Sequence, residues 1–555
     1  MALYVFLSLV WLAFIVSVVA VLATWGGLPR KVWAARYALL VITCLFCVLY
    51  VSRLDTSFMG LEYEDAFEYV YAGQVLAQDS GARSFVLNPV CVDGSREACL
   101  SYATLSHPIG LATLISWPAR LLGRSLLYGG AVSLFFMWIA SIGVFALLRL
   151  WDVGAVYAVL GSVLFMTCPV CLALGGTSLA EPTTTGLLVV SVLLAEVLVV
   201  RRHSGLERTQ GGIVRAWLVL ALASALTLAI FTKRESLWLV VVLPASYLVL
   251  AALRGRGSLR SVVAESGLVV AVCGAVFAVA WLAGGSGLFD WNSIQPTTAA
   301  PFSLTNLERW APEYLAHLFS VRFLALVPLA IVGVLTLGRS RRPVVVLPLV
   351  VGYMALFASF SQDFFAESTG QIPYFHFERY TLEITPFLAA LAAMGLGRVG
   401  EFAGRYVTRR AVAALALVAG LLLVAGGAAE ALPYRQSLSR EEAGLRRKPV
   451  EAACARIPAG GWVVTDEPIV FALYCGPSVD VLATATIGVR AVPVARLVRL
   501  RDTGHLFLWK NLEDTPLETN RYPAVAAFLR TTKPTELFRF AGSGGSFGLY
   551  RLSKR

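Results

Sequence analysis

The chain has 555 residues, 58% of them hydrophobic and 14% charged, with a formal net charge of +12 and a mean hydropathy of +0.73. A soluble domain carries about 25% charged residues, so an ordinary globular enzyme is excluded, and the same hydrophobicity excludes disorder. What remains is a polytopic α-helical membrane protein with room for a soluble appendage.

A spanning helix needs about 20 mostly apolar residues. Twelve stretches qualify: 4–24, 33–52, 126–149, 153–175, 182–200, 214–232, 236–253, 261–283, 322–338, 343–360, 380–397 and 411–428. The first lacks preceding basic residues and a small-residue cleavage site, so it reads as a retained helix and not a secretory signal. Alternate loops carry Arg30, Lys31 and Arg36, then Arg149, Arg201, Arg202, Arg208, Arg215, Arg254, Arg256, Arg260, Arg339, Arg341, Arg342, Arg398, Arg405, Arg409 and Arg410. Positive charge marks cytoplasmic loops. Both ends of the chain are then predicted outside the cytoplasm, and the basic balance needs no nucleic-acid partner. The predicted location is the plasma (cytoplasmic) membrane, multi-pass. Segments 53–125, 284–321 and 361–379 and everything after 429 fall on the extracytoplasmic side.

The expected division is 1–429, membrane-embedded, and 430–555, an extracytoplasmic α/β domain. In the latter, Trp462–Thr465, Val479–Leu482, His505–Trp509, Glu536–Ala541 and Phe547–Leu552 read as strands, and Ile469–Tyr474 and Ala524–Arg530 as helices. Gly542, Gly544, Gly545 and Gly548 read as a hairpin loop between strands, not as a phosphate-binding fingerprint. The domain is expected to act as a scaffold or an acceptor-side lid. Cys44, Cys47, Cys168, Cys171 and Cys273 lie within spans and read as packing residues. Cys91, Cys99, Cys454 and Cys475 lie outside, and an even number there predicts two local disulfides, Cys91–Cys99 and Cys454–Cys475.

Four groups of residues could carry chemistry. Glu64, Asp65, Glu68 and Tyr69 follow the second span, and helical spacing puts Asp65, Glu68 and Tyr69 on one face with Glu64 beside it. The plain alternative is an acidic start that stabilises a helix N-terminus. Glu181, in a very short loop before Pro182, sits at membrane depth; its plain alternative is a helix cap. Lys233 and Arg234 place two cations on the outer side, against the positive-inside trend, which suits a phosphate; an internal ion pair with Glu235 is the plain alternative. Arg379, among aromatics just before the eleventh span, suits the same anion. His107 and His317 are single histidines without metal spacing and read as structural. Together, outward acids and cations suit a base that activates an acceptor hydroxyl and a cradle for a phosphate leaving group.

At these residues the sequence resembles the GT-C superfamily of integral-membrane glycosyltransferases. Glu64-Asp65-Ala66-Phe67 with Tyr69 is similar to the acidic opening of that family's first large external loop. Phe85-Val86-Leu87-Asn88-Pro89, Val92-Asp93-Gly94 and Ser106-His107-Pro108 resemble the rest of that loop in its arabinofuranosyltransferase-like branch; a protein-mannosyltransferase-like branch also fits. Ser178-Leu179-Ala180-Glu181-Pro182 is similar to its S-x-x-E-P loop. Thr232-Lys233-Arg234-Glu235 resembles its T-K/R-P-E turn, with Arg234 in place of the proline. Glu378-Arg379-Tyr380 followed by Pro386 resembles its entry to a late helix. The likeness runs over roughly residues 35–400, and the helix at 4–24 is extra.

The resemblance implies a lipid-dependent, inverting transfer of a hexose or pentose from a polyprenyl-phosphate-linked sugar to a cell-wall glycan, lipid or protein acceptor. Asp65 would be the general base, with Glu64 beside it. Glu68, Tyr69, Glu181 and His107 would orient the acceptor, and Lys233, Arg234 and Arg379 would hold the phosphate. A divalent metal is possible in the superfamily and is not assigned. The rival readings are a multi-pass transporter of a lipid-linked or small anionic substrate, a non-catalytic scaffold or sensor, and a lipid-linked oligosaccharide ligase or polymerase.

Overall fold

The computed structural model describes residues 2–24, 36–50, 64–78, 108–203, 211–254, 259–284, 303–320, 323, 326–336, 342–359, 378–404, 408–441, 447–465, 468–475, 479–483, 494–512, 523–542 and 545–555. The chain divides into two compact units, one from residues 2–55 and 130–435, the other built from 56–129 with 436–555.

In the first unit, α1 (Ala2–Thr24) is apolar all round and has one buried face. Leu7, Trp11 and Phe14 are buried, while Leu9, Leu12, Val16 and Val19 point outward. A stripe of exposed large apolar residues is unfavourable in water and fits lipid. The chain continues through α2 (Arg36–Leu49) and, after residue 56 opens the other unit with α3 (Glu64–Gln78) and α4 (Gly110–Leu122), through α5 (Leu127–Leu150), α6 (Ala155–Thr167), α7 (Pro169–Leu174), α8 (Ala180–His203), α9 (Gly211–Thr232), α10 (Trp238–Arg254) and α11 (Leu259–Gly284). Then follow α12 (Leu304–Leu318), α13 (Leu326–Leu335), α14 (Leu347–Ala358), α15 (Thr385–Ala403) and α16 (Arg409–Glu441). Among the described residues, four helices are long and apolar enough to cross a membrane, within Tyr4–Val21, Leu127–Leu150, Ala180–Val199 and Gly212–Thr232, and shorter apolar helices accompany them. The protein is a helical membrane protein.

Some span boundaries differ from the sequence expectation. The stretch 153–175 is two helices, because Pro169 supplies no N–H and disfavours a helical residue before it; Cys168 is extended between α6 and α7. The helix expected to stop near 428 runs on to Glu441, through Pro433.

Close packing replaces hydrophobic drive between helices in lipid. Phe6 of α1 meets Phe231 of α9 edge-on at 6.1 Å. Tyr50 donates to the Met166 carbonyl at 2.9 Å. A close crossing joins α13 to α15: a side chain on Gly333 would collide with the Leu391 carbonyl, and one on Gly395 with the Leu329 carbonyl. Gly395→Val is therefore expected to destabilise the protein by roughly 1–3 kcal/mol through overpacking. Thermal unfolding in detergent reads this, and an unchanged midpoint would contradict the crossing.

The second unit contains the C-terminal α/β domain. Its elements are α17 (Lys448–Cys454), β1 (Gly461–Thr465), α18 (Pro468–Cys475), β2 (Val479–Ala483), α19 (Val494–Asp502), β3 (Leu506–Asn511), α20 (Pro523–Arg530), β4 (Thr532–Gly542) and β5 (Gly545–Lys554). The sheet order is β2-β1-β3-β5-β4. β1 pairs in parallel with β2 and β3, whereas β5 runs antiparallel to β3 and β4. Val464, Leu482, Leu497, Leu506, Leu508, Phe528 and Leu552 form the core. Pro534 is tolerated because β4 is an edge strand. Gly542 pairs with Gly545 at the end of a hairpin as expected, but Gly548 lies inside β5, opposite Arg539 and Lys510. The Cys454–Cys475 disulfide is formed; Cys91 and Cys99 lie outside the described residues.

Candidate functional site

Three of the expected site residues meet in the helical unit. Glu181 stands in the first turn of α8, where the positive end of the helix dipole favours a carboxylate. Lys233 follows α9 and opens a short 3-10 turn, Arg234–Leu237. Arg379 lies in a second 3-10 turn, Glu378–Thr381, just before α15. Each turn interrupts a helix at its end, so these long side chains turn back among the helices.

Lys233 is the hub. Its ammonium donates to Glu181 Oε1 at 3.3 Å and also to Glu383 Oε1. It stands 5.2 Å from the Phe357 ring centroid and 4.9 Å from that of Tyr380, and those two rings stack at 5.0 Å. A desolvated cation on an aromatic face gains about 2 kcal/mol. Arg379 Nε approaches Glu181 Oε1 at 3.7 Å, its guanidinium lies 4.8 Å from the Tyr380 ring, and it donates to the Tyr380 hydroxyl at 2.7 Å. Glu181, Lys233, Arg234, Arg379 and Glu383 are all buried. Burial alone would drive the proton from Lys233; Glu181, Glu383 and Glu235 outweigh it and hold the pKa above the ordinary lysine value.

The geometry does not favour the plain alternative for Lys233, an ion pair with Glu235 of its own turn. The contacts of Lys233 are carboxylates 52 and 150 positions away along the chain. Glu383 is the residue that the sequence reading missed. It lies at the head of an apolar run, Thr381-Leu382-Glu383-Ile384, and an ionisable residue within a predicted span is a functional candidate by default. Its second oxygen, Oε2, is buried without a hydrogen-bond partner among the described residues, and so are the hydroxyls of Ser178, Thr183, Thr184 and Thr232. Buried polar atoms without partners are costly. Another buried acid, Glu196 of α8, accepts from the Tyr247 hydroxyl at 3.2 Å, apart from this cluster.

In the other unit, Glu64 and Asp65 form the first turn of α3. Tyr69 is buried and Glu68 half-buried. The side chains of Glu64 and Asp65, and the whole of His107, lie outside what the structure describes. Tyr71 is pushed up to about 12 by burial, against the opposing charge of Arg124. Among the described residues no three metal-ligating side chains converge.

No protein-family model matches the chain, and no curated protein matches it. Solved structures do. ArnT from Cupriavidus metallidurans in the apo state superposes with a TM-score of 0.57 at 14% identity, covering 93% of this chain and 98% of that one. The same protein bound to undecaprenyl phosphate gives 0.55 at 14% identity, with 92% and 97% covered. The oligosaccharyltransferase AglB from Archaeoglobus fulgidus, in complex with an inhibitory peptide and a dolichol-phosphate, gives 0.52 at 12% identity, with 93% and 74% covered. These are membrane glycosyltransferases of the GT-C superfamily, and the chain has their fold.

Proposed function

We propose that this GT-C-fold protein is a glycosyltransferase that takes a sugar from a polyprenyl-phosphate donor and passes it to a hydroxyl-bearing acceptor. The observation that carries this reading is the buried cluster in which Lys233 contacts Glu181 and Glu383 and Arg379 approaches Glu181, with Arg234 also buried next to Lys233 in the chain. Buried cations are costly to maintain, and their use here is to accept a phosphate dianion as it leaves. Neighbours of the same fold are seen with undecaprenyl phosphate and with dolichol-phosphate, which supports a lipid-phosphate donor.

In the proposed reaction the Asp65 carboxylate takes the proton from the acceptor hydroxyl. The oxygen attacks the anomeric carbon, a C–O bond forms with inversion, and the bond to phosphate breaks with its electron pair leaving on the polyprenyl phosphate. Lys233, Arg234 and Arg379 stabilise that charge, while Glu181 and Glu383 keep the cations in place before the donor arrives. Glu64, Glu68, Tyr69, Glu181 and His107 are proposed to orient the acceptor. The arginine-rich loops support a chemistry that faces away from the cytoplasm, across the plasma membrane, with residues 430–555 on that same side. A cell-wall glycan acceptor and a pentose donor are the finer form of the proposal.

Arg379→Ala is expected to weaken donor use by about 2–5 kcal/mol, the cost of losing one partner of a buried charged contact. Titration with a polyprenyl-phosphate sugar, read as donor KM and turnover, checks it. Unchanged donor affinity and turnover would remove Arg379 from the site.

A further inference from the structure

Helix α3 bears Asp65 and belongs to the same compact unit as the C-terminal domain, and the two are joined by a specific contact. Ala66, Phe67 and Val70 of α3 are buried, and α3 packs against α18. The Phe67 ring meets the Tyr474 ring edge-on, with centroids 6.1 Å apart and planes at 72°. On its remaining contacts α3 is held by α4. A side chain on Gly73 would press on Ile115 at 2.6 Å, and Arg120 donates to the Leu76 carbonyl at 2.9 Å, closing the C-terminal end of α3. So α4 holds α3 at Gly73 and Leu76, and α18 touches it at Phe67, near Asp65.

α18 is itself fixed firmly. Phe471, three residues before Tyr474 and so on a neighbouring part of the same helix face, enters the sheet and meets Trp509 edge-on at 5.3 Å. Trp509 stacks on Phe547 at 5.4 Å. Cys475, adjacent to Tyr474, is bonded to Cys454 of α17. A continuous path thus runs from the β3–β5 core through Trp509, Phe471 and Tyr474 to Phe67, two residues from Asp65.

We propose that Tyr474 is a positioning residue for Asp65, and that the Cys454–Cys475 disulfide keeps it in place, so that the C-terminal domain sets the placement of the base. The proposal rests on the reading of Asp65 as general base. Misplacing a reacting group by about 1 Å costs about 10²-fold in rate, without any change in how the donor is bound. The contact with Phe67 is made by the ring of Tyr474.

The test uses the full chain in lipid nanodiscs, with two readouts: amide hydrogen exchange over residues 64–78, and kcat and donor KM with a polyprenyl-phosphate sugar. Tyr474→Ala is expected to speed exchange at the start of α3 about tenfold and to lower kcat about 10- to 100-fold with donor KM unchanged. Tyr474→Phe is expected to restore both. Cys454→Ser with Cys475→Ser is expected to fall between them. Should Tyr474→Ala fail to fold, Phe67→Leu probes the same contact while keeping the site filled. Unchanged exchange in α3, a change in KM alone, or failure of Tyr474→Phe to rescue would overturn the proposal. Asp65→Asn, run in parallel, separates the two ideas. If it stays active, the base assignment fails, whereas the exchange data still report whether α18 holds α3.

Discussion

Asp65→Asn is expected to leave folding and donor binding near normal while lowering turnover by about 10²–10⁴-fold, the usual contribution of a positioned base. The substitution keeps the size of the side chain and removes the proton acceptor. Asp65 carries the nearest match to the acidic motif, and the structure places it in the first turn of α3. Glu64 is its neighbour, but adjacent helix positions lie about 100° apart round the axis, so the two cannot occupy equivalent places. Steady-state turnover of Asp65→Asn and Glu64→Gln decides between them. A dead Glu64→Gln with an active Asp65→Asn would shift the assignment by one residue. Two active variants would remove the base from both Glu64 and Asp65.

The second large effect concerns stability. Lys233→Met is expected to destabilise the protein by about 3–5 kcal/mol, because it leaves buried carboxylates without their cation. Glu383 has no exposed side-chain surface and Glu181 has 6%, so water cannot take over the role of the ammonium. Glu383→Gln in the same chain removes one stranded charge and is expected to recover much of the loss, since Arg379 still faces Glu181 at 3.7 Å. Denaturation of the two single variants and the double variant in detergent measures the coupling. A Lys233→Met protein as stable as the wild type would show that the pairing seen in the structure is not the one that holds the fold.

Much of this was legible because a bilayer simplifies the code. Long apolar runs declared the helices, and the motifs around Glu181, Lys233 and Arg379 could be singled out by being charged where charge is costly. Pairing was not legible. Lys233 stands two residues from Glu235 in the sequence, yet it makes its contacts with Glu181 and Glu383 from distant turns, and such partners are set by helix packing. Glu383 escaped notice because Leu382, Ile384 and the apolar residues that follow hide one acid in the average hydropathy. In the C-terminal domain the strands were readable from alternation, but α19 was not. Val494–Asp502 contains three arginines, and its inward face shows only in the structure, where Leu497 is buried and Val498 and Leu500 pack against the same core. Least legible was the union of 56–129 with 436–555, since residues like Phe67 and Tyr474 carry no sign of each other.

The most direct measurement follows both halves of a donor. The purified chain, in sealed vesicles, is given polyprenyl-phosphate sugars labelled in the sugar, together with candidate acceptors. Label is expected to appear in an acceptor in step with release of free polyprenyl phosphate, and Asp65→Asn is expected to abolish both. Intact donor carried across the bilayer, with sugar and phosphate still joined, would contradict it and make the protein a transporter.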